Sequence, residues 1–295
     1  MAPRYRSHVA IYDLAARSFR VVYSSDGVIE APNWARDGSF LLLNRDGGLF
    51  RLPLGEEPIP QPLTLVGGSY ACNNDHDLSP DGRWLAFSAS TPEQPASRVF
   101  VARADGSAAS LVTPAAPSYF HGWSPDGQWL AFVAERGDDR FELYRVRAEG
   151  GAEERLTSAG GYDDGPEYSP DGRFIYFNSN RSGGWAIWRM PSSGAGLSDG
   201  LAEQITHDAP EDWFPHISPD GRWMVFLSFP AGTQGHDDRI SGMQLRLLPT
   251  PGERIGEAAI EVLCEFFGGQ GSINVNSWSP DSQRFAFVIY ELQSA

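Results

Sequence analysis

Short apolar runs, separated by polar and turn-forming segments, recur along the whole chain, each after a tight-turn signal. The clearest runs are Trp84–Phe87, Trp129–Phe132, Phe174–Phe177, Trp223–Phe226 and Phe285–Val288. Short apolar runs bounded by turn signals are typical of β-strands that are buried on both faces. The pattern therefore predicts an all-β chain built from short strands.

The turn signal is the tetrapeptide Ser-Pro-Asp-Gly or a close relative of it. Its six copies are Ala35–Gly38, Ser79–Gly82, Ser124–Gly127, Ser169–Gly172, Ser218–Gly221 and Ser279–Ser282. Pro presets φ, Asp accepts hydrogen bonds from nearby backbone N–H groups, and Gly adopts positive φ, so we interpret the aspartates as turn formers. Successive aspartates are 44, 45, 45, 49 and 61 residues apart. A period in the forties made of short strands is typical of a β-propeller with one blade per repeat.

The two ends of the chain together predict how the ring closes. Two strands, His8–Leu14 and Ser18–Tyr23, precede the first motif, whereas only Arg284–Tyr290 follows the last one. We expect the amino-terminal strands to complete the last blade, which leaves no free sheet edge between the termini. The prediction is a single domain over residues 1–295: a six-bladed β-propeller of four-stranded antiparallel blades.

Composition narrows the range of partners. The formal net charge is −15 and the sequence pI is near 4.7, so the surface repels nucleic acid and anionic membranes. Cys72 and Cys264 match no metal spacing, and we expect two free thiols. Met1–Ala10 lacks the apolar stretch of a signal peptide, and no apolar run reaches membrane-spanning length. The expected protein is soluble and cytoplasmic, without membrane insertion.

The repeats resemble those of the TolB-type β-propellers, a bacterial family with WD-like repeats. The resemblance is carried by Gly122–Gly127, by Ser169–Gly172 with the loop Asn178–Gly183 after it, and by Leu-Thr pairs such as Leu156-Thr157. It covers essentially the whole chain and implies the propeller fold and a binding or interaction role. Bacterial TolB proteins also carry a secretion signal and an α/β domain, and the relatives are often periplasmic. We expect this chain to share the propeller alone.

The candidate site is the channel mouth, where the segments that enter the inner strands converge from distant parts of the sequence. The candidate ligand-binding residues are His76, His121, Asp163, Asp212, Trp213, His216, His236, Gln270 and Asn274. One interpretation is that these polar groups only satisfy backbone and water in a solvated channel. A second is a binding funnel, because aromatic faces beside amides and carboxylates suit a protein segment or a small carbohydrate or peptide ligand.

A third interpretation is a metal site made from His76, His121 and His216. Imidazole ligands suit divalent Mn or Zn, and such an ion could support a carbohydrate-active, uronate lyase-like enzyme. The sequence has a loose likeness to oligogalacturonate lyases, which hold manganese but have seven blades. The one-residue offset of His216 from the other two in its repeat argues against a common centre. We therefore predict a binding module with no cofactor, and the lyase is the alternative.

Overall fold

The computed structural model describes residues 4–55, 58–137, 140–252 and 259–293, in which β-strands are the main regular secondary structure. The strands of the amino-terminal half are β1 (Arg4–Asp13), β2 (Ser18–Asp26), β3 (Glu30–Trp34), β4 (Phe40–Arg45), β5 (Gly48–Pro53), β6 (Gln61–Leu63), β7 (Ala71–Leu78), β8 (Trp84–Thr91), β9 (Gln94–Arg103), β10 (Ser110–Leu111), β11 (Ser118–Trp123), β12 (Trp129–Glu135), β13 (Phe141–Arg147) and β14 (Glu154–Arg155). Those of the carboxyl-terminal half are β15 (Asp163–Tyr168), β16 (Phe174–Ser179), β17 (Ala186–Pro191), β18 (Glu203–Gln204), β19 (Glu211–Ile217), β20 (Trp223–Phe229), β21 (Ile240–Pro249), β22 (Glu261–Gly268) and β23 (Arg284–Gln293). Two short 3₁₀ helices, Leu197–Asp199 and Gln270–Ser272, lie in loops.

Five blades are four-stranded antiparallel sheets in which sequential strands are neighbours. Blades 1 to 5 consist of β3–β6, β7–β10, β11–β14, β15–β18 and β19–β22. The first strand of each blade is the inner one, and β3, β7, β11, β15 and β19 contact one another in that order. The predicted six-bladed propeller is thus confirmed, while the single-domain organisation over residues 1–295 stays a prediction.

The sixth blade joins the two ends of the described chain, as predicted. Its sheet has the order β2-β1-β23, and β1 pairs with β23 along ten residue pairs, from Arg4–Gln293 to Asp13–Arg284. The inner position is held by a short segment before β23, through the single bridge between Trp278 and Phe285. This closure pairs the edges that open blades would expose.

The motif residues form the turns that the sequence predicts. In blade 2 the Ser79 hydroxyl donates to Asp81 Oδ1 at 2.6 Å and accepts from the backbone N–H of Trp84 at 3.0 Å. Asp81 Oδ1 also accepts the backbone N–H of Arg83 at 3.0 Å, and these hydrogen bonds lower the pKa of Asp81. Blades 3, 4, 5 and 6 repeat the serine–aspartate bond. The motif aspartates are therefore turn formers.

Recurring tryptophans fasten adjacent inner segments together around the axis. Trp123, directly before the third motif, donates from Nε1 to the carbonyl of Asp77 in β7 at 3.0 Å. Trp278, directly before the sixth motif, donates in the same way to the carbonyl of His216 in β19 at 3.0 Å. Both indoles are buried, so a wide apolar side chain fills the gap between blades while its polar atom is satisfied. These contacts fix the positions of the inner strands that carry the site.

Two further expectations concern the cysteines and membrane insertion. Cys72 and Cys264 are both free, as expected. In the ranges that the structure describes, no helix has the length and apolarity needed to cross a membrane.

Candidate functional site

Each inner strand of blades 1 to 5 has an irregularity midway along its length. The register shifts lie at Glu30/Asn33, Cys72/His76, Phe120/Gly122, Asp164/Glu167 and Trp213/His216. Three of these bulges contain left-handed backbone, at Ala31, Gly165 and Phe214, with φ of 53°, 60° and 53°. A bulge breaks the strict alternation of faces and re-aims the side chains beside it. Five bulges at the same height therefore shape one end of the channel.

A cavity of about 560 Å³ opens among these bulges, and we call it the bulge cavity. Its aromatic wall consists of Tyr119, Phe141, Tyr162, Trp185, Trp213 and Phe214. Its polar wall includes Asn73, Asn74, Asp75, His121, Asp164, Asn180, Gln234, His236, Asp237, Gln270 and Asn274. The two walls come from blades 2 to 5 and from the segment that enters blade 6. A concave site with an aromatic wall and a few polar groups has the character of a ligand site.

An ion pair lies at the centre of the cavity. His121 Nε2 is 3.0 Å from Asp164 Oδ1, and both side chains are buried. Burial opposes the charged form of each group, but their mutual hydrogen bond and attraction outweigh it, so the pKa of His121 is raised and that of Asp164 is lowered. Both shifts favour the ionised form of the pair. The Gly165 N–H donates to Asp164 Oδ1 at 2.8 Å and helps to fix the carboxylate.

A second buried carboxyl, that of Asp75, lines the same cavity. It accepts hydrogen bonds from the side-chain amides of Asn274 and Asn73, both at 2.7 Å. Burial raises the pKa of Asp75 to about 6, although the charge of His121 and the two amides work in the other direction. Asp75 is therefore ionised at pH 7 but becomes neutral under mildly acid conditions.

The aromatic wall is a stack of rings around Trp213. The ring of Trp185 lies 3.7 Å from that of Trp213, and the ring of His236 lies 4.2 Å from it, measured between centroids. Burial lowers the pKa of His236, with Asp164 and Asp237 acting in the opposite direction. Trp213 is fully buried, so the partly exposed Trp185 presents the accessible face of the stack.

The other end of the channel, where the motif turns meet, has a smaller cavity of about 320 Å³. Its wall includes the motif prolines Pro80, Pro125, Pro170, Pro219 and Pro280. Between the two ends lies a hydrogen-bonded set in which Asn276 donates to Glu167 at 2.7 Å and Asn33 donates to Asp77 at 2.6 Å. His121 lines both cavities and so marks the depth at which they meet.

The bulge cavity brings together five of the nine predicted site residues. His121, Trp213, His236, Gln270 and Asn274 all line it. Asp163 and Asp212 do not, because their side chains form buried ion pairs with Arg181 at 2.7 Å and Arg246 at 3.0 Å.

The two remaining predicted residues, His216 and His76, lie elsewhere. His216 is buried, with its Nδ1 2.6 Å from Glu167 Oε2 and its Nε2 2.8 Å from the carbonyl oxygen of Ile273. His76 is fully buried, next to the backbone of Leu42 and Ala31. Burial lowers the pKa of His76 to about 4, which keeps it neutral.

The predicted metal ligands His76, His121 and His216 do not converge. Among the residues that the structure describes, no group of three or more His, Cys, Asp or Glu side chains is arranged to hold a metal ion. His121 lines the bulge cavity, whereas His76 and His216 do not. The reason is local: His121 is the extra residue of the bulge in β11, which turns it into the cavity.

Asp75, Asp164, Tyr162 and Trp185 also line the cavity but are absent from the sequence-based selection. Asp164 directly follows the selected Asp163, and strand alternation sends such neighbours to opposite faces. The signal that distinguishes Asp164 from Asp163 is the neighbouring Gly165, which adopts φ of 60° and begins the bulge. A glycine inside a predicted strand is a bulge signal and could have identified Asp164.

Comparison with known proteins places this geometry in context. A family model described as the TolB beta propeller domain matches residues 77–252. An uncharacterized protein of Agrobacterium fabrum is 41% identical over 285 residues, which are 97% of this chain and 92% of that protein. A solved structure from Agrobacterium tumefaciens, which carries a provisional TolB assignment, is 40% identical with a TM-score of 0.90 and covers 98% of this chain and 99% of its own.

A more distant structure shares the fold alone. TolB from Acinetobacter baumannii is 18% identical with a TM-score of 0.65, and the match covers 90% of this chain and 64% of that one.

Proposed function

We propose that this chain, which belongs to the TolB beta propeller domain family, is a binding module. Its ligand is captured in the bulge cavity. The observation that carries the proposal is the cavity itself, in which an aromatic wall faces buried amides and carboxylates. The rings supply apolar contact area, and the polar groups supply orientation and specificity.

The size of the cavity sets the kind of ligand. Its volume of about 560 Å³ lies within the range of small-molecule sites, which is roughly 300–1,000 Å³. It accommodates a small carbohydrate, a short peptide, or a few side chains of a polypeptide segment that a protein partner inserts. The cytoplasm stays the compartment predicted from the sequence.

Rigid placement of the walls favours capture over loose contact. The Phe214 backbone N–H donates to Asn178 Oδ1 at 3.1 Å, which ties the bulge of β19 to blade 4. Trp185 N–H donates to the carboxylate of Glu211 at 2.6 Å, which ties the loop before β17 to blade 5. Because these bonds cross between blades, the cavity is organised before any ligand arrives, and binding costs less conformational entropy.

The test uses a displayed random-peptide library and a glycan array, both probed with the purified protein. Peptides or glycans that are enriched are synthesised, and their dissociation constants are measured by calorimetry for the parent and for Trp185→Ala. We expect Trp185→Ala to weaken binding by about tenfold or more, because aromatic anchors dominate such sites.

Trp84→Ala is the matched control, because Trp84 is an exposed tryptophan on blade 2 that does not line the bulge cavity. It should leave the dissociation constant unchanged. Equal affinity of Trp185→Ala and the parent for every enriched ligand contradicts binding in this cavity, as does a complete lack of enrichment.

A further inference from the structure

The polar wall of the bulge cavity offers hydrogen-bond acceptors and negative charge. We infer that its ligand carries an organic ammonium group, which Asp75, Gln270 and Asn274 hold against the aromatic wall. This inference rests on the binding function proposed above and names the class of ligand.

Asn274 provides the first argument. Its side chain is 1% exposed, and its Nδ2 donates to Asp75 Oδ1 at 2.7 Å and to the carbonyl of Asn74 at 3.3 Å. These two acceptors fix the orientation of the amide, because a flipped amide would direct its oxygen at the carboxylate and the carbonyl. Asn274 Oδ1 has no hydrogen-bond partner in the described residues. A buried acceptor left unpaired calls for a donor from outside the protein.

Gln270 repeats the arrangement on the same wall. Its Nε2 donates to the side-chain oxygen of Asn74 at 3.3 Å, and its Oε1 has no partner within the described ranges. Both amides are thus held through Asn74, with their oxygens unpaired. Trp213 Nε1 is an unpaired donor, but it belongs to the aromatic wall, where Trp213 packs against Trp185 and His236. The unpaired groups of the polar wall are therefore acceptors.

The balance of charge points the same way. The cavity is lined by three carboxyl groups, those of Asp75, Asp164 and Asp237, and no Lys or Arg occurs among its described lining residues. The cation opposite them is His121, which is already paired with Asp164 at 3.0 Å. Arg239 lines the adjacent cavity, but it forms an ion pair with Glu30 at 2.6 Å. A cationic ligand would offset the excess negative charge.

The class of cation follows from the donors that it must supply. A primary ammonium group has three N–H donors, which match two amide oxygens and one carboxylate. A quaternary ammonium has no N–H and would leave the amide oxygens unpaired. A bare metal ion lacks a suitable group of side chains in the described part of the chain. The exposed face of Trp185 adds cation–π attraction and covers the aliphatic body of the ligand.

Two sources supply this chemistry: a free alkylamine, or a lysine side chain inserted by a partner. The probes are 1,5-diaminopentane with 1,5-pentanediol as its neutral analogue, and an acetylated, amidated Gly-Lys-Gly peptide with its norleucine analogue. Calorimetry at pH 7.5 and low salt should give binding of an ammonium probe at least about tenfold tighter than binding of its neutral analogue. Tighter binding of the diamine indicates a free amine, and tighter binding of the peptide indicates a lysine side chain.

Variants connect this binding to the named residues. Asp75→Asn keeps the shape and removes the charge, and Gln270→Met removes an acceptor at a partly exposed loop position where folding is little affected. Each variant should weaken binding of the ammonium probe by about tenfold, because hydrogen bonds to charged groups are stronger than those between neutral groups. Asp105→Asn, on an exposed turn, is the matched control and should change nothing.

The sequence allows a second, covalent readout. The 23 residues counted as Lys or Arg are all arginine, so the chain contains no lysine side chain that could compete for a carbodiimide-activated carboxyl. The amine should displace the carbodiimide as its urea from the activated carboxyl of Asp75, Asp164 or Asp237 and form one amide bond there, which peptide mass spectrometry should locate. Coupling that falls on exposed carboxyls such as Asp105 and spares these three contradicts the inference.

The outcomes separate the inference from the function on which it rests. Neutral analogues that bind as tightly as the ammonium probes, or variants that bind them like the parent, overturn the ammonium assignment. The binding function then still stands if the ligands enriched from the library depend on Trp185. A failure of both the ammonium probes and the library overturns the inference and the proposed function together.

Discussion

Asp75 and Asp164 are two buried carboxyls of one cavity, and their surroundings shift their pKa values in opposite directions. Asp164 has an imidazolium partner at 3.0 Å, which lowers its pKa. Asp75 has neutral amides as its direct partners, so burial dominates and raises its pKa to about 6. A single neighbouring charge therefore decides which carboxyl responds to mild acid.

We expect the binding of 1,5-diaminopentane to weaken as the pH falls from 7.5 to 5. Among the other groups that line the cavity, the lowered pKa of Asp164 and the raised pKa of His121 favour their ionised forms. The pKa values of Tyr119 and Tyr162 are raised, so both phenols stay neutral, and the lowered pKa of His236 favours its neutral form. Asp75 is the carboxyl that loses its charge. Below about pH 6 the dissociation constant should rise by up to about tenfold per pH unit, which calorimetry measures directly.

The variant Asp75→Asn is the control for this pH dependence. The amine of the probe stays protonated throughout, since its pKa is near that of lysine, about 10. The variant should therefore give weak binding with little change between pH 7.5 and 5. A parent protein whose affinity stays constant across the same interval contradicts the role given to Asp75.

At the scale of elements, the bulges of the inner strands shape the wall of the bulge cavity. Gly165 in β15 adopts φ of 60°, and a Cβ there would lie 2.7 Å from Asn178 Oδ1 and 3.0 Å from the ring of Phe214. That same Asn178 oxygen accepts the N–H of Phe214, which itself has φ of 53°. The bulges of β15 and β19 therefore depend on each other through one amide.

We expect Gly165→Ala to lower the free energy of unfolding by about 2–3 kcal/mol, because a left-handed non-glycine residue is strained and its methyl group would displace Asn178. Gly221→Ala is the matched control, with φ of 72° but no atom within 4 Å of the added Cβ. The free energy of unfolding of this control should fall by about 1 kcal/mol, from backbone strain alone. Denaturant titration of both variants measures the difference, and equal losses contradict the coupling of the bulges.

At the scale of the whole molecule, the ring depends on pairing between strands from opposite ends of the sequence. β1 connects β2 to β23, so residues 4–26 supply two strands of the sixth blade. Val9 and Ala10 of β1 are fully buried, as are Phe287 and Val288 of β23. Without β1 and β2, β23 would expose both its apolar face and an unpaired edge.

We expect deletion of residues 1–26 to abolish cooperative thermal unfolding and to cause aggregation, as seen by circular dichroism and size-exclusion chromatography. A synthetic peptide of residues 4–26, added during refolding, should restore both the transition and the monodisperse peak. A scrambled peptide of the same composition is the control. A deleted protein that unfolds at the parental temperature without the peptide would show that closure contributes little.

The sequence alone determined the fold of this protein. The spacing of Asp81, Asp126 and Asp171 predicts the blades, and strands on either side of the repeats predict their closure. Both signals are local, because turn chemistry and strand alternation depend on residues within a few positions of each other. Of the residues predicted from the sequence, His121, His236 and Asn274 line the bulge cavity.

Only the tertiary structure decided which neighbouring side chain faces the cavity. Asp163 pairs with Arg181 away from the cavity while Asp164 lines it, and His76 is buried while His121 lies at the centre. One extra residue in an inner strand reverses the order of faces, and whether that residue fits depends on contacts with the next blade, such as those of Gly165 with Phe214. Those contacts join residues almost fifty positions apart, which no local pattern records.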